Sequence, residues 1–197
     1  MLVLASGSIG RRTLLEQAGV PHDVMPASID EPAAKSPLRA RGLHPCAIAD
    51  ALAELKALDV SARRPADLVL GCDQTLALED GTEFDKAPDL STLAEQLRTL
   101  SGKTHSLCSA MVIARKGQIV WRHRESVQMT MRTLSDQFIA DYLNSEGDVL
   151  LGCVGGYRIE GRGIQLFSQI EGSHFAIMGL PLLPLLAYLR SEEILPV

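Results

Sequence analysis

The 197-residue sequence has few aromatic residues, since Phe, Trp and Tyr make up only 4% of it. Proteins that bind single-stranded nucleic acid stack the bases on aromatic side chains within a basic groove. The formal net charge of −5 also disfavours binding to a polyanion, which depends on clustered Lys and Arg. We therefore expect no nucleic acid polymer as a partner, whereas a small anion held by a few local cations is compatible with this composition.

Paired cysteines are lacking as well. The four cysteines stand singly, and neither they nor the five histidines show the spacing of a zinc site. Cys72 and Cys108 lie within apolar runs, as small core residues of reduced cytosolic proteins do. The sequence therefore predicts a cytoplasmic protein with reduced cysteines and no zinc.

No apolar run is long enough to cross a membrane. Polar residues begin at Ser6, and the apolar segment 180–189 has about half of the ~20 residues that a span requires. A hydrophobic content of 46% is nevertheless sufficient for a core. We expect one globular domain over residues 1–197 and no membrane partner.

Strand and helix patterns alternate along the chain, neither strictly one after the other nor all as hairpins. A single α/β domain with a mixed sheet is predicted. Helices are predicted at 11–18, 45–58, 91–100 and 135–143 and from Pro181 onward. Strands are predicted at 2–5, 68–72, 106–114, 118–131, 149–154, 165–167 and 174–178. The proline-containing stretch 28–45 is predicted to be a mobile loop.

A strand-to-helix junction at residues 6–12 carries the first candidate site. Its glycines free the backbone, Ser6 and Ser8 supply hydroxyl groups, and Arg11 and Arg12 begin the helix. Helix N-termini bind phosphate, and an anion there would relieve the conflict between two arginines and the helix dipole. Ser8 is equally suited to be a simple N-cap with both arginines in solvent.

Asp73 is the second candidate, because it follows the apolar run 68–72 and is predicted to stand at the end of a buried strand. Lys56 falls about 80° from Ile48 on its helix, beside the apolar stripe formed with Leu52, Leu55 and Leu58. Together with Lys86, it would complete a carboxylate with several cations, which suits phosphoanhydride cleavage. An Asp in this position is as often a turn former or helix cap.

The third candidate is the glycine-rich segment 155–163. Such a segment allows a backbone to approach a ligand closely, and it is also typical of a tight turn between packed elements. The composition does not decide between the two alternatives.

In chain order these segments resemble the Maf family of nucleoside triphosphate pyrophosphatases, and the match spans nearly the whole chain. The matching motifs are Leu4-Ala5-Ser6-x-Ser8-x-x-Arg11-Arg12, Ile29-Asp30-Glu31, Leu52-Ala53-x-x-Lys56-Ala57, Gly71-x-Asp73, Lys86, Leu100-Ser101-Gly102, Gly156-Tyr157-x-Ile159-x-Gly161, Glu171-Gly172 and Gly179-Leu180-Pro181.

The resemblance implies a mixed twisted sheet flanked by helices, similar to Maf and inosine triphosphate pyrophosphatases, with two lobes around a cleft. It implies hydrolysis of a nucleoside triphosphate to the monophosphate and pyrophosphate, which removes unwanted nucleotides, and it implies a homodimer and a divalent cation, Mg²⁺ or Mn²⁺. Asp73 and Glu31 would be the catalytic acids and metal ligands. The phosphates would be bound by Ser6, Ser8, Arg11, Arg12, Lys56 and Lys86.

The family is divided between enzymes for dTTP and UTP and enzymes for 7-methyl-GTP. Gln74 and Cys153 look like the 7-methyl-GTP branch, whereas Tyr157 and Ile159 look like the other. Gln74 or Glu160 would pair with a guanine edge. Two alternatives stay open: a nucleotide-binding regulator of cell division with little turnover, and an inosine triphosphate pyrophosphatase.

Overall fold

The computed structural model describes residues 1–196. Seven strands form one sheet in these residues, and helices flank it. The strands are β1 (Leu2–Leu4), β2 (His22–Val24), β3 (Leu68–Leu78), β4 (Glu83–Phe84), β5 (Thr104–Arg115), β6 (Gln118–Met131) and β7 (Phe167–Glu171). The α-helices are α1 (Ile9–Gln17), α2 (Glu31–Ala40), α3 (Pro45–Arg63), α4 (Leu90–Leu100), α5 (Asp136–Glu146), α6 (His174–Ile177) and α7 (Leu182–Ser191).

The sheet is mixed, as the sequence predicts. Its strand order is β2-β1-β3-β5-β6-β7, with β4 paired to β3. β1 is parallel to both β2 and β3, whereas β4 and β7 are antiparallel to their neighbours. β1 and the first half of β3 are continuous apolar runs because parallel strands are covered on both faces. None of the helices within residues 1–196 has the length and apolar character needed to span a membrane.

The chain divides into two compact units, which we call the first and second units. The first contains Met1–Gln74, Cys108–Glu125 and His174–Val197, and the second contains Thr75–Leu107 and Ser126–Ser173. The two lobes expected from the sequence correspond to this division. A single domain over 1–197 stays a prediction, and Val197 itself lies outside the described residues.

Helix α3 packs directly on the sheet in the first unit. Its buried face carries small residues, among them Ala53 and Ala57, and these lie against Gly71 of β3. A methyl group at position 71 would overlap the carbonyl oxygen of Ala53, so only glycine permits this approach. Helix α3 is therefore held at a fixed, short distance from β3.

The core of the second unit contains aromatic and glycine residues. Tyr157 packs edge-on against Phe167 with ring centroids 4.8 Å apart. Gly155 and Gly156 have positive φ angles, and a methyl group on Gly156 would overlap the Leu93 side chain. These two glycines of the segment 155–163 are therefore required for packing and turn geometry.

Several predictions about local structure are wrong. The stretch 28–45 is mostly helical, because Asp30 caps α2 through the backbone N–H of Ala33 and Pro32 stands in the first turn, where no N–H is needed. The predicted strands at 149–154 and 174–178 are a 3₁₀ segment, Gly147–Gly152, and the helix α6. Short apolar runs suit either state.

Cys46 and Cys108 correct the prediction of reduced cysteines. They form a disulfide that joins the first turn of α3 to β5, with their Cα atoms 5.4 Å apart. Both residues lie in the first unit. Cys72 and Cys153 are free thiols.

Candidate active site

Asp73 lies in the middle of β3, and the prediction that it ends the strand is wrong. The strand continues to Leu78, and only 4% of Asp73 is exposed. One carboxylate oxygen, Oδ1, accepts a hydrogen bond of 2.7 Å from Lys56 Nζ. The other, Oδ2, is buried and has no hydrogen-bond partner within residues 1–196. A buried carboxylate oxygen without a partner is costly and marks a position where a ligand or ion would be stabilised.

Lys56 joins two acidic residues. Its ammonium group lies 2.7 Å from Asp73 Oδ1 and 2.8 Å from Glu31 Oε1. Glu31 is the first residue of α2. The sequence placed Lys56 beside the apolar stripe, but it lies on the buried face of α3 and is only 7% exposed, whereas Leu55 is exposed. The ammonium end of this buried side chain reaches the two carboxylates.

Arg11 is buried and is held by three acceptors. Its Nε donates to Gly179 O at 2.9 Å, and its Nη1 donates to Ser6 Oγ and to Cys72 O, both at 3.1 Å. All three acceptors are uncharged, and no acidic side chain pairs with Arg11 in the part of the chain that is described. A buried guanidinium without a counterion attracts an anion, and phosphate fits its fork of donors.

Gly179 leaves space for the guanidinium group of Arg11. Its φ angle is +83°, and a methyl group there would lie 3.2 Å from Arg11 Nε. Sequence reasoning used the Gly179-Leu180-Pro181 motif only for its resemblance and missed this role. The contact joins residues far apart in the chain, so local sequence carries no signal for it.

The remaining residues of the 6–12 junction separate into two groups. Ser8 is the N-cap of α1, where its hydroxyl accepts from the backbone N–H of Arg11. Ser6 Oγ accepts from Ser8 N at 3.2 Å and from Arg11 Nη1, so Ser6 contacts the guanidinium and Ser8 contacts only the backbone of Arg11. Arg12 instead points away and pairs with Glu16 on the exposed side of α1.

Gln74 is fixed by its amide nitrogen. Its Nε2 donates to Ser109 Oγ at 2.9 Å and to the carbonyl oxygens of Ala176 and Ile177, both at 3.0 Å. The amide group therefore offers only its carbonyl oxygen to a nucleotide base. Ser109 was missed by sequence reasoning, although a serine inside the apolar run of β5 is a usable signal.

Lys86 and Glu160 lie in the second unit, and both are exposed. Glu160 accepts a hydrogen bond of 3.0 Å from Arg158 Nε. Ala87, the residue after Lys86, is buried and directs its own side chain into the core. The roles of Lys86 and Glu160 in binding phosphate and base stay predictions.

The free cysteines are not suited to covalent catalysis. Burial raises the pKa of the Cys72 thiol, and it also raises the pKa of Cys153, where the Glu160 carboxylate acts in the same direction. Both thiols therefore stay protonated near neutral pH, whereas a nucleophilic cysteine must be a thiolate.

The carboxylates suit a divalent cation of the Mg²⁺ type. Such cations are bound in proteins by one or two carboxylates together with substrate phosphates and water. Asp73 and Glu31 would supply these oxygens, and Asp73 Oδ2 is available for this purpose. No group of three or more His, Cys, Asp and Glu residues with metal-binding geometry occurs in residues 1–196, so the protein alone does not form a full coordination shell.

Comparison with known proteins gives relatives over the whole chain. The 7-methyl-GTP pyrophosphatase of Brucella abortus biovar 1 (strain 9-941) is 50% identical over 192 residues, which cover 98% of this chain and 96% of that protein. The nucleoside triphosphate pyrophosphatase of Granulibacter bethesdensis is 47% identical over 196 residues, 100% of this chain and 99% of that protein. The nucleoside triphosphate pyrophosphatase of Hyphomonas neptunium is 50% identical over 195 residues, 99% of this chain and 98% of that protein.

A crystal structure of a nucleoside-triphosphatase / dITP/XTP pyrophosphatase from Mycobacterium abscessus covers 68% of this chain and 74% of its own, with a TM-score of 0.38 and 14% identity, a likeness too low to carry an argument. The model of the Maf-like protein family, in contrast, matches residues 1–192. With relatives near 50% identity over the same length, this match shows that the chain belongs to the Maf family.

Proposed function

We propose that this protein hydrolyses a nucleoside triphosphate to the nucleoside monophosphate and pyrophosphate. One observation carries the proposal: Arg11, Lys56 and Asp73 are all buried and lie around one short stretch of β3. Arg11 binds the carbonyl of Cys72, and Lys56 binds the carboxylate of the next residue along the strand. Burying three charges is costly, and such clusters are characteristic of active sites. Relatives named as pyrophosphatases support the same function.

Each group has a part in cleaving the bond between the α and β phosphates. Arg11 and the N-terminus of α1 bind the negatively charged phosphates. The Asp73 carboxylate, through an oxygen that does not hold the cation, accepts a proton from the attacking water, whose oxygen bonds to the α-phosphorus as the bond to the β-phosphate oxygen breaks. Pyrophosphate then leaves with its charge balanced by the cationic side chains. A divalent cation held by Asp73 and Glu31 would add further charge neutralisation.

The preferred substrate is proposed to be 7-methyl-GTP. The name of the Brucella abortus relative supports this choice, as does glutamine at position 74. Because the Gln74 amide nitrogen is engaged by Ser109, Ala176 and Ile177, its carbonyl oxygen would accept from a donor on the base. Guanine presents such donors on its Watson–Crick edge, but uracil and thymine also present one, so dTTP and UTP are the alternative substrates.

The direct test is product analysis with a panel of nucleotides. The purified protein is incubated with Mg²⁺ or Mn²⁺ and with 7-methyl-GTP, UTP, dTTP or ITP, and pyrophosphate and orthophosphate are measured separately. We expect pyrophosphate only, released fastest from 7-methyl-GTP. Tight binding of a triphosphate without products would instead identify a nucleotide-binding regulator, and fastest turnover of ITP would identify an inosine triphosphate pyrophosphatase.

A matched variant tests the role of Asp73. Asp73→Asn keeps the shape of the side chain but removes the proton acceptor, so kcat should fall about 10³-fold. Lys56 keeps its ion pair with Glu31, and circular dichroism should show an unchanged fold. Full pyrophosphate release by this variant would contradict the mechanism.

The cation, the compartment and the assembly are part of the same proposal. Removal of divalent cations with EDTA should abolish turnover, and added Mg²⁺ or Mn²⁺ should restore it. The cytoplasm is the proposed location, although a reducing cytosol does not favour a disulfide such as Cys46–Cys108, so thiol trapping in intact cells is the informative measurement. Light scattering would test the proposed homodimer.

A further inference from the structure

Lys56 occupies the space between the two carboxylates proposed to hold the cation. Its Nζ is 2.7 Å from Asp73 Oδ1 and 2.8 Å from Glu31 Oε1. The side chains of Lys56 and Asp73 are 9% and 6% exposed, whereas that of Glu31 is 44% exposed. One ammonium group therefore sits where a cation shared by both carboxylates would also be most stable.

We propose that Lys56 is a positioning residue that acts as an internal cation: it holds Asp73 and Glu31 together in the metal-free protein and is displaced when a divalent cation binds. The divalent cation and the ammonium group compete for the same carboxylate oxygens. The two carboxylates carry two negative charges and the ammonium one positive charge, so a divalent cation balances the pair more completely. This inference rests on the proposed function only in that the reaction uses such a cation.

The surroundings of Lys56 allow this exchange. A lysine is a compact point charge on a flexible stem with several rotatable bonds, so its end can move while its base stays packed. Glu31 lies at the open side and gives the ammonium a path out of the buried position. Glu31, whose side chain is 44% exposed, is the carboxylate that an incoming cation reaches first, and Asp73 Oδ2, which has no partner within residues 1–196, is left to bind the cation as the Lys56 contact breaks.

Displacement would also prepare the site for its substrate. The released ammonium remains tethered to α3 beside Asp73 and becomes available to a phosphate oxygen. Arg11 lies on the preceding carbonyl of β3, so both cations would then face the same anion. Lys56 would in this way pair with the two carboxylates before the cation binds and with a phosphate of the substrate afterwards.

Metal binding in the absence of nucleotide tests the proposal. Mn²⁺ is titrated into the wild-type protein and into Lys56→Met, with bound ion measured by electron paramagnetic resonance. Loss of the competing ammonium should lower the Kd for Mn²⁺ about tenfold, which corresponds to about 1.4 kcal/mol. Equal or weaker Mn²⁺ binding by Lys56→Met overturns the proposal, because a lysine that serves only the phosphates does not compete with the metal.

Three further variants separate competition from a general effect of charge. Lys56→Gln, which retains hydrogen-bond donors, should also bind Mn²⁺ more tightly and serves if the methionine variant does not fold. Arg122→Gln removes one positive charge from an exposed pair with Glu54 in the same unit and should leave the Kd unchanged. In the Asp73→Asn background, Lys56→Met should produce no gain. A gain in Arg122→Gln equal to that in Lys56→Met would contradict the proposal.

The outcome is distinguishable from failure of the proposed function. Pyrophosphate release by the wild-type protein is measured separately. A wild-type protein that releases none, combined with tighter Mn²⁺ binding by Lys56→Met, overturns the pyrophosphatase proposal and retains the exchange. Normal turnover with equal Mn²⁺ affinities overturns only the exchange.

Discussion

The two units bury polar side chains of different kinds. The first unit buries three charged side chains, Arg11, Lys56 and Asp73. The second unit buries two uncharged polar side chains, Thr75 and His105. His105 Nε2 lies 2.7 Å from Tyr157 OH, which in turn contacts Met129 Sδ. His105, Tyr157 and Met129 therefore form a neutral chain of contacts in the second unit.

We interpret the buried charged side chains of the first unit as groups that serve activity, and the buried neutral groups of the second unit as groups that serve stability. Asp73 Oδ2 in the first unit and His105 Nδ1 in the second are both buried without a partner in the described chain, but Asp73 is a carboxylate, and Arg11 of the same unit has no acidic partner there. In the second unit burial lowers the pKa of His105 to about 4, which keeps the imidazole neutral at physiological pH. We expect substitutions in the first set to impair turnover and those in the second to alter stability.

The largest expected effect is that of Arg11→Gln. The substitution removes the buried positive charge that we propose binds the phosphates, so kcat/KM should fall about 10³-fold, comparable to the loss of a strong transition-state donor. Steady-state pyrophosphate release measures it, with circular dichroism as the check of folding. A loss of kcat/KM of tenfold or less would mean that Arg11 has a structural role. The buried polar groups of the two units would then not differ in function.

Removal of the disulfide should destabilise the first unit. Cys46 and Cys108 are 62 residues apart, and in the chain-entropy model closing such a loop stabilises the folded state by about 4 kcal/mol. Cys46→Ala/Cys108→Ala should show this loss in urea unfolding, as should the reduced wild-type protein. Hydrogen exchange should accelerate in α3 more than in α5 of the second unit. Identical unfolding midpoints with and without the bridge would show that it contributes nothing.

His105→Phe should change the acid stability of the protein and leave turnover at pH 7.5 unaffected. Because the pKa of His105 falls from 6.5 in the unfolded chain to about 4 in the folded one, the unfolded state binds a proton between these values. The free energy of unfolding is therefore unaffected by His105 above pH 6.5 and declines by about 3 kcal/mol as the pH falls toward 4. Urea unfolding between pH 4 and 8 should show this decline in the wild type and a flatter profile in the variant. Parallel profiles would contradict it.

Arg98→Gln should have the smallest effect. Arg98 pairs with Asp136 in the second unit at 2.7 Å, but the two side chains are 52% and 79% exposed. Exposed pairs contribute less than about 1 kcal/mol. Thermal unfolding and pyrophosphate release should both match the wild type, which makes this variant the control for Arg11→Gln. A large loss of activity here would mean that charge removal as such impairs the enzyme.

Local signals predicted much of the fold. The helix predicted at 91–100 and the strands predicted at 106–114 and 118–131 are confirmed as α4, β5 and β6, because each depends on a pattern of neighbouring residues. Asp73 was misplaced at a strand end because a charge normally terminates a buried run. The strand continues through Asp73, and Lys56 from the preceding helix α3 compensates the charge by a contact that no pattern within the strand shows.

The proximity of three candidate residues was predicted better than their arrangement, and their roles in a site stay predictions. Arg11, Lys56 and Asp73 are brought together as expected, but the sequence treated Arg11 and Arg12 alike, and only the first turns inward. The inward turn depends on Gly179 and Cys72, which are contributed by other parts of the chain. Non-local contacts of this kind are outside the reach of periodicity and spacing.

Asp73 and Glu31 belong to secondary-structure elements that differ greatly in burial. Asp73 is held inside a buried strand, whereas Glu31 begins α2, a helix that has no fully buried residue and contains Pro37 in its interior. Such a helix opens at low free energy, well before the sheet does. Asp73 is therefore fixed by the sheet, whereas we expect Glu31 to move away from Lys56 whenever the first turn of α2 opens.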